Sequence, residues 1–326
     1  MTNSYMMLPI SDRNFLLGLV PSPRSVPETT FDDLIAAYQE TGEIAEVSMV
    51  WTDPAGIGEY DKLSQNQVVT ALRVYGLEPI LTLNFATIQQ APGEGLIYVV
   101  DAPRGVNADL SDSEFRRLWI EEAKNIARDF KPKYFSLGNE INDYFYFHPE
   151  DWEEYLSLYD QARAEIKAVS PDTKVFAVFS LNHMLENNQF DLLETFNDRA
   201  DLIGFTTYPW QEYNDPIDIP IDYYSQLQDY VNKPIAFTEI GWPSSQEQGS
   251  SEQEQAEFLI RFLELTKDMD LEMVNWLFLH TPELSGIAAV VSSPGTETIS
   301  LKNADDSQKA IYPVWLALKA LEGQHE

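Results

Sequence analysis

Eight short apolar runs alternate along the chain with eight longer stretches of helical periodicity, and that alternation narrows the fold more than any other feature of the sequence. The apolar runs cover 15–21, 44–52, 78–85, 134–142, 174–181, 202–208, 235–242 and 273–280. Each is rich in Val, Ile, Phe, Leu or Tyr, and near-continuous apolarity of this kind marks strands buried on both faces, as in a parallel sheet. The helical stretches cover 31–41, 65–75, 113–130, 149–169, 190–200, 221–231, 252–267 and 313–321. In the third, Phe115, Leu118, Trp119, Ala123, Ile126 and Ala127 recur at three- and four-residue spacings, with Arg116, Arg117, Glu121 and Lys124 between them. The fourth opens on HPEDWEEY, with proline and acids in the first turn, where the helix dipole favours them. Strand and helix alternating eight times is what a (β/α)8 TIM barrel of the α/β class requires. No Ser/Gly-rich linker or break in composition interrupts the sequence, so residues 1–326 are expected to form one such domain.

Composition removes several classes of function. With 44% hydrophobic and 12% aromatic residues the chain can build a core, and no apolar run approaches the roughly 20 residues of a membrane helix. The absence of cysteine excludes disulfides, thiolate metal sites and cysteine nucleophiles, and four histidines leave little for a metal centre. The formal charge of −32 repels nucleic acid, anionic membranes and acidic polysaccharides, which favours a neutral partner. The oligomeric state is left open. MTNSYMMLPISDRN carries neither a basic segment nor an apolar core of a secretory leader. An extracellular protein whose leader has been removed and a cytoplasmic one both fit.

In a barrel the chemistry belongs at the C-terminal ends of the strands. The long connections 86–112, 211–219 and 281–308 follow the third, sixth and eighth strands, on that face. The fourth strand, KYFSLGNEIN, ends in Gly138, Asn139 and Glu140; the seventh, PIAFTEIGWPS, carries Glu239. Each is a carboxylate closing an apolar strand, where an unpaired charge is costly to bury. Two such groups can divide glycosidic cleavage, one attacking the anomeric carbon and the other protonating the leaving oxygen and then activating water. Aromatic platforms for sugar faces are available near strand ends in Trp51, Tyr208, Trp210, Trp242 and Trp276, and after the fourth strand in Tyr144 and Tyr146. Core packing competes with that reading for each, most evenly for Trp276, whereas Trp210 and Trp242, flanked by prolines, are expected in loops. Asn84 ends the third strand and could bond a hydroxyl; His183 and His280, past the fifth and eighth, are ligand contacts or loop hydrogen bonders.

GNE at the fourth strand and TEIGWPS at the seventh resemble the clan A glycoside hydrolases. The resemblance spans the barrel order and implies that Glu140 is the acid/base, Asn139 the partner of the sugar 2-hydroxyl, and Glu239 the nucleophile held by Tyr208 in GFTTYPW. VWTDP, LGNEIN and TYPW are similar to endo-β-1,4-galactanases, whereas TEIGWPSS is closer to plant-type endo-β-1,3-glucanases. Clan members commonly carry an arginine on the second strand; AEVSMVWT has none, and Arg24 stands just past the first strand instead. The implied function is a retaining glycoside hydrolase acting on a neutral β-linked glucan, galactan or mannan, without cofactor or metal. A carbohydrate-binding barrel lacking turnover is the alternative. The two carboxyls are expected to face one cavity about 5 Å apart.

Overall fold

A computed structural model describes residues 7–50, 56–91, 95–283 and 295–321. Its strands are β1 (Leu16–Val20), β2 (Val47–Met49), β3 (Glu78–Thr82), β4 (Ala86–Ala91), β5 (Gly95–Val100), β6 (Tyr134–Ser136), β7 (Lys174–Phe176), β8 (Val178–Ser180), β9 (Ile203–Thr207), β10 (Ile235–Ile240) and β11 (Leu271–Phe278). All but β4 and β5 belong to one sheet, ordered β7-β6-β3-β2-β1-β11-β10-β9-β8. The order begins and ends with β7 and β8, which Ala177 alone separates in the chain, so the fifth barrel strand supplies both ends of the sheet. The fold is the (β/α)8 barrel. Its fourth, sixth, seventh and eighth strands are β6, β9, β10 and β11.

The chain packs as two compact units. One comprises Met1–Ser48, Tyr75–Leu77 and Thr207–Glu326. Here β1 pairs in parallel with both β2 and β11, and β11 with β10. Its core includes Tyr224, Phe237 and Phe262, whose rings meet edge-to-face at centroid separations of 5.4, 5.1 and 5.0 Å. Helix Phe31–Ile44 starts at a capping box: Thr30 Oγ1 accepts from Asp33 N–H while the Asp33 carboxylate accepts from Thr30 N–H.

The other unit comprises Met49–Val74 and Glu78–Thr206. Parallel pairs β3·β6, β6·β7 and β8·β9 run through it. Phe85 lies among Tyr144, Phe145 and Tyr155 at ring separations of 5.2, 5.8 and 4.7 Å. Helix Ser113–Phe130 has the bounds its periodicity predicts, because Asp112 caps its first N–H groups and Lys131 turns left-handed at its end.

Several expectations change, among them the helix expected over 65–75, which begins at Glu59 and breaks at left-handed Gln67 into Glu59–Asn66 and Val68–Val74. The connection 86–112 opens with an antiparallel hairpin of β4 and β5, registered from Ala86↔Val100 to Ala91↔Gly95. Its second strand, GLIYVV, is dense in β-branched and aromatic residues that favour a pleated surface. The helix expected over 221–231 shrinks to a 3-10 segment, Ser225–Asp229, beside adjacent buried Tyr223 and Tyr224. The one expected over 190–200 shrinks to Asp191–Glu194, since Thr195, Asn197 and Asp198 are weak helix formers. A helix not anticipated, Leu181–Asn187, follows β8 directly.

Candidate active site

The acid/base candidate is built by the turn that follows β6. Gly138 sits at φ +129°, and a β-carbon there would lie 2.5 Å from Ile141 Cγ2, so only glycine fits. Ser136 Oγ donates to the Gly138 carbonyl (2.7 Å), and Tyr155 OH donates to that of Leu137 (2.7 Å). Asn139 N–H donates to Asn84 Oδ1 at 3.0 Å. Glu140 is left-handed, φ +50°, and opens helix Ile141–Phe147. A non-glycine residue held in that region is strained, and such residues gather at functional sites. Thr206 Oγ1 donates to Glu140 Oε1 at 2.6 Å, which fixes the half-buried carboxylate. Asn142, fully buried, ties the helix to the end of β8 by accepting from Ser180 N–H (2.7 Å) and donating to its carbonyl (3.1 Å).

Glu239 lies on β10 in the other unit and is 8% exposed. Tyr208 OH donates to Glu239 Oε2 at 2.5 Å, and the Tyr208 ring meets half-buried Trp210 edge-on at 4.9 Å. A phenol aimed at a carboxylate favours its charged form. Behind it, Asn275 Nδ2 donates to the Thr238 carbonyl (2.9 Å). Gly18 makes room for that amide, since a β-carbon there would stand 2.1 Å from Asn275 Oδ1.

The remaining expected contacts divide. Trp242 is not a loop residue facing solvent: it is 1% exposed, stacks on Phe258 at 5.3 Å and donates Nε1–H to Ser250 Oγ. Trp276 is fully buried and donates to the Ile299 carbonyl (2.7 Å). Both rings are core, with their one polar group satisfied internally, and neither has a face to offer a sugar. Asn84 spends its side-chain oxygen on the Asn139 backbone, which makes it a positioning residue. His280 is buried, with Nδ1 against the Ser22 carbonyl (2.7 Å) and Nε2 against Asp306 (2.9 Å). Trp51 lies outside the described residues. Arg24 is paired with Asp33 at 2.6 Å, at the start of helix Phe31–Ile44. Thr206 went unread in the sequence, although period-two alternation in GFTTYPW places it on the same side as Tyr208.

Among the described residues, Glu40, His280 and Asp306 bring ligand atoms within 4.8 Å of one another. Lys302 Nζ already bridges Glu40 (2.8 Å) and Asp306 (2.5 Å) there, so an ammonium group occupies the position a metal ion would take.

The barrel order and the strand-end motifs resemble those of the clan A glycoside hydrolases. The model of Glycosyl hydrolase family 53 matches residues 123–278, from the helix before β6 to the end of β11. Among solved structures, the chain resembles an exo-β-1,4-mannosidase from Opitutaceae bacterium strain TAV5 with TM-score 0.71 and 15% identity, over 99% of this chain and 63% of that one. The family 53 catalytic domain from Ignisphaera aggregans aligns with TM-score 0.57 and 14% identity, over 98% and 99% of the two chains. A family 39 glycoside hydrolase from Bacteroides cellulosilyticus WH2 gives 0.60 and 16%, over 95% of this chain and 64% of that one. The chain thus spans less than two thirds of the mannosidase and of the family 39 enzyme. No curated protein matches the sequence.

Proposed function

We propose that the protein is a retaining β-glycosidase for neutral β-linked oligo- or polysaccharides, with Glu239 as nucleophile and Glu140 as acid/base. The observation that carries this reading is the Tyr208–Glu239 hydrogen bond, which equips a strand-end carboxylate to attack as an anion. Glu140, hydrogen-bonded by Thr206, donates its proton to the leaving oxygen in the first step and takes one from water in the second. The two carboxylates supply nucleophile and proton alike, so the chemistry needs no cofactor. Of the neutral polymers, β-1,4-galactan comes first, because the strand-two, strand-four and strand-six motifs and the family 53 match agree on it. Mannan comes second, on the resemblance to the mannosidase.

Release of reducing ends from galactan, mannan and β-glucan tests the reading. Turnover on at least one is expected, with Glu140→Gln lowering kcat roughly 10²–10⁴-fold. Undiminished turnover in Glu140→Gln or Glu239→Gln contradicts it. A second reading, sugar binding without turnover, is favoured by the pairing of Arg24 with Asp33, which commits the arginine that stands just past the first strand to an ion pair at a helix start. Binding of an oligosaccharide with no reducing ends released selects that alternative.

A further inference from the structure

A connected group of side chains surrounds the start of the helix that Glu140 opens, and the mechanism above uses none of it. Asp143, one turn into helix Ile141–Phe147, is 5% exposed, and its N–H donates to the Glu140 carbonyl at 3.0 Å. Its carboxylate faces His183 Nδ1 at 2.8 Å and accepts from Tyr98 OH at 3.2 Å. The Tyr98 ring stacks on Phe147 (5.9 Å, 20°), and Phe147 meets Tyr146 edge-on at 5.0 Å. Tyr146 and Phe147 are 54% and 55% exposed, two large neighbouring rings left in water at the end of the helix that Glu140 opens. The side chain of His183 is 45% exposed although that of its carboxylate partner is 4% exposed. With Nδ1–H committed to Asp143, Nε2–H is the edge of the ring turned outward, a donor of fixed orientation.

Core packing does not account for this arrangement, since a buried aspartate here orients an exposed imidazole, and the tyrosine bonded to the same carboxylate stacks on an exposed ring. A donor of fixed direction next to apolar faces suits a ring that offers both hydroxyls and C–H surface. We propose that His183, oriented by Asp143 and Tyr98 and flanked by Tyr146 and Phe147, binds the sugar on the leaving-group side of the scissile bond. The assignment of side rests on the reading of Glu140 as acid/base, because that residue protonates the departing oxygen. The substrate class this implies has at least one sugar residue beyond the cleaved bond, as in an oligosaccharide or polymer, in contrast to a simple glycoside.

The same geometry gives a pH signature. The hydrogen bond that His183 donates to Asp143 outweighs burial and raises His183 to about 9, with the charges of Asp143, Glu140 and Glu186 adding to the rise. Tyr98, the other titratable neighbour, is pushed well above its usual range by burial and by Asp143 and Glu140. Above about pH 9 His183 keeps Nδ1–H toward Asp143 and loses Nε2–H, so the outward donor disappears.

The test compares the full-length protein acting on β-1,4-linked galactotetraose and mannotetraose with its action on the p-nitrophenyl β-glycosides of the same sugars, whose leaving group is not a sugar. Replacing His183 by Ala, or Tyr146 and Phe147 together by Ala, should lower kcat/KM for the tetrasaccharide relative to the aryl glycoside by about 10- to 100-fold. KM for the tetrasaccharide should rise through about pH 9 in the wild type but not in His183→Ala. Equal losses on both substrates mean a merely structural role and overturn the proposal, as does no loss on either. If the wild type cleaves neither substrate, the reading of Glu140 fails. Calorimetric titration with the tetrasaccharide then decides the subsite by itself. Binding weakened about tenfold in the Tyr146→Ala/Phe147→Ala variant sustains it; unweakened or absent binding overturns it. Both rings are exposed, so that variant should keep its fold, which its thermal midpoint checks.

Discussion

Glu140 adopts φ +50° two residues after a glycine at φ +129°, and the turn between them is what aims its carboxylate at Thr206. The motif GNE was legible as letters, and its glycine has a steric cause in the β-methyl of Ile141. Gly138→Ala should cost about 1–3 kcal/mol of stability and misplace the carboxylate, seen as a lower urea midpoint together with lost turnover. The proline and serine neighbours of Trp242 look like loop chemistry, whereas Phe258, on helix Glu252–Thr266, supplies the stacking partner that buries it. Trp242→Ala should therefore destabilise by about 3–5 kcal/mol, measured by denaturant unfolding, rather than act on substrate affinity alone. Lys309 is another residue whose environment sequence conceals. It is 2% exposed, donates to the Thr298 carbonyl and Ser300 Oγ at 2.8 and 2.9 Å, and burial lowers it to about 8 against a small opposing pull from Glu252. Its folded value lies below its unfolded one, so between about pH 8 and 10.5 the unfolded chain binds more protons and this residue's contribution to stability rises with pH. Unfolding free energies of wild type minus Lys309→Met should climb across that window; a flat difference would contradict the burial of a charged ammonium.

Elements were legible in proportion to how much of their own boundary chemistry they carry. Helix Ser113–Phe130 announces itself by a wide apolar stripe and an aspartate cap, and its bounds agree to the residue. Helix Phe31–Ile44 has a capping box in sequence, TFDD, yet its end runs three residues past the expected one because Ile44 continues the buried face. Thr30→Ala should cost about 1 kcal/mol, read as a fall in the thermal midpoint. The hairpin β4–β5 was hidden inside a stretch whose proline and glycine content reads as an irregular loop. Its pairing is local, but one of its side chains, Tyr98, takes a partner 45 residues away in Asp143, and no periodicity reports that. The hydrogen bonds that fix Asn139 to Asn84 and Asn142 to Ser180 are long-range in the same sense.

At the scale of the whole molecule, the barrel order follows from eight alternations, and the strand-end glutamates follow from the barrel order. Sugar identity does not, because it depends on loop side chains whose neighbours are distant in sequence. The −32 charge repels anionic ligands and leaves neutral ones untouched, so Glu239→Gln titrated with neutral and uronic-acid oligosaccharides of equal length should bind the neutral series more tightly, by a margin that shrinks as salt is added. The proposed division of labour between Glu140 and Glu239 is tested most directly by trapping. A 2-deoxy-2-fluoro-β-glycosyl fluoride of the sugar whose release the polymer assays detect should form a slow-turnover covalent adduct, and peptide mass spectrometry should find one added sugar on the peptide carrying Glu239, absent from Glu239→Gln. A label on any other carboxylate, or inactivation-free turnover with inverted product, would contradict the assignment of Glu239 as the nucleophile of a retaining glycosidase.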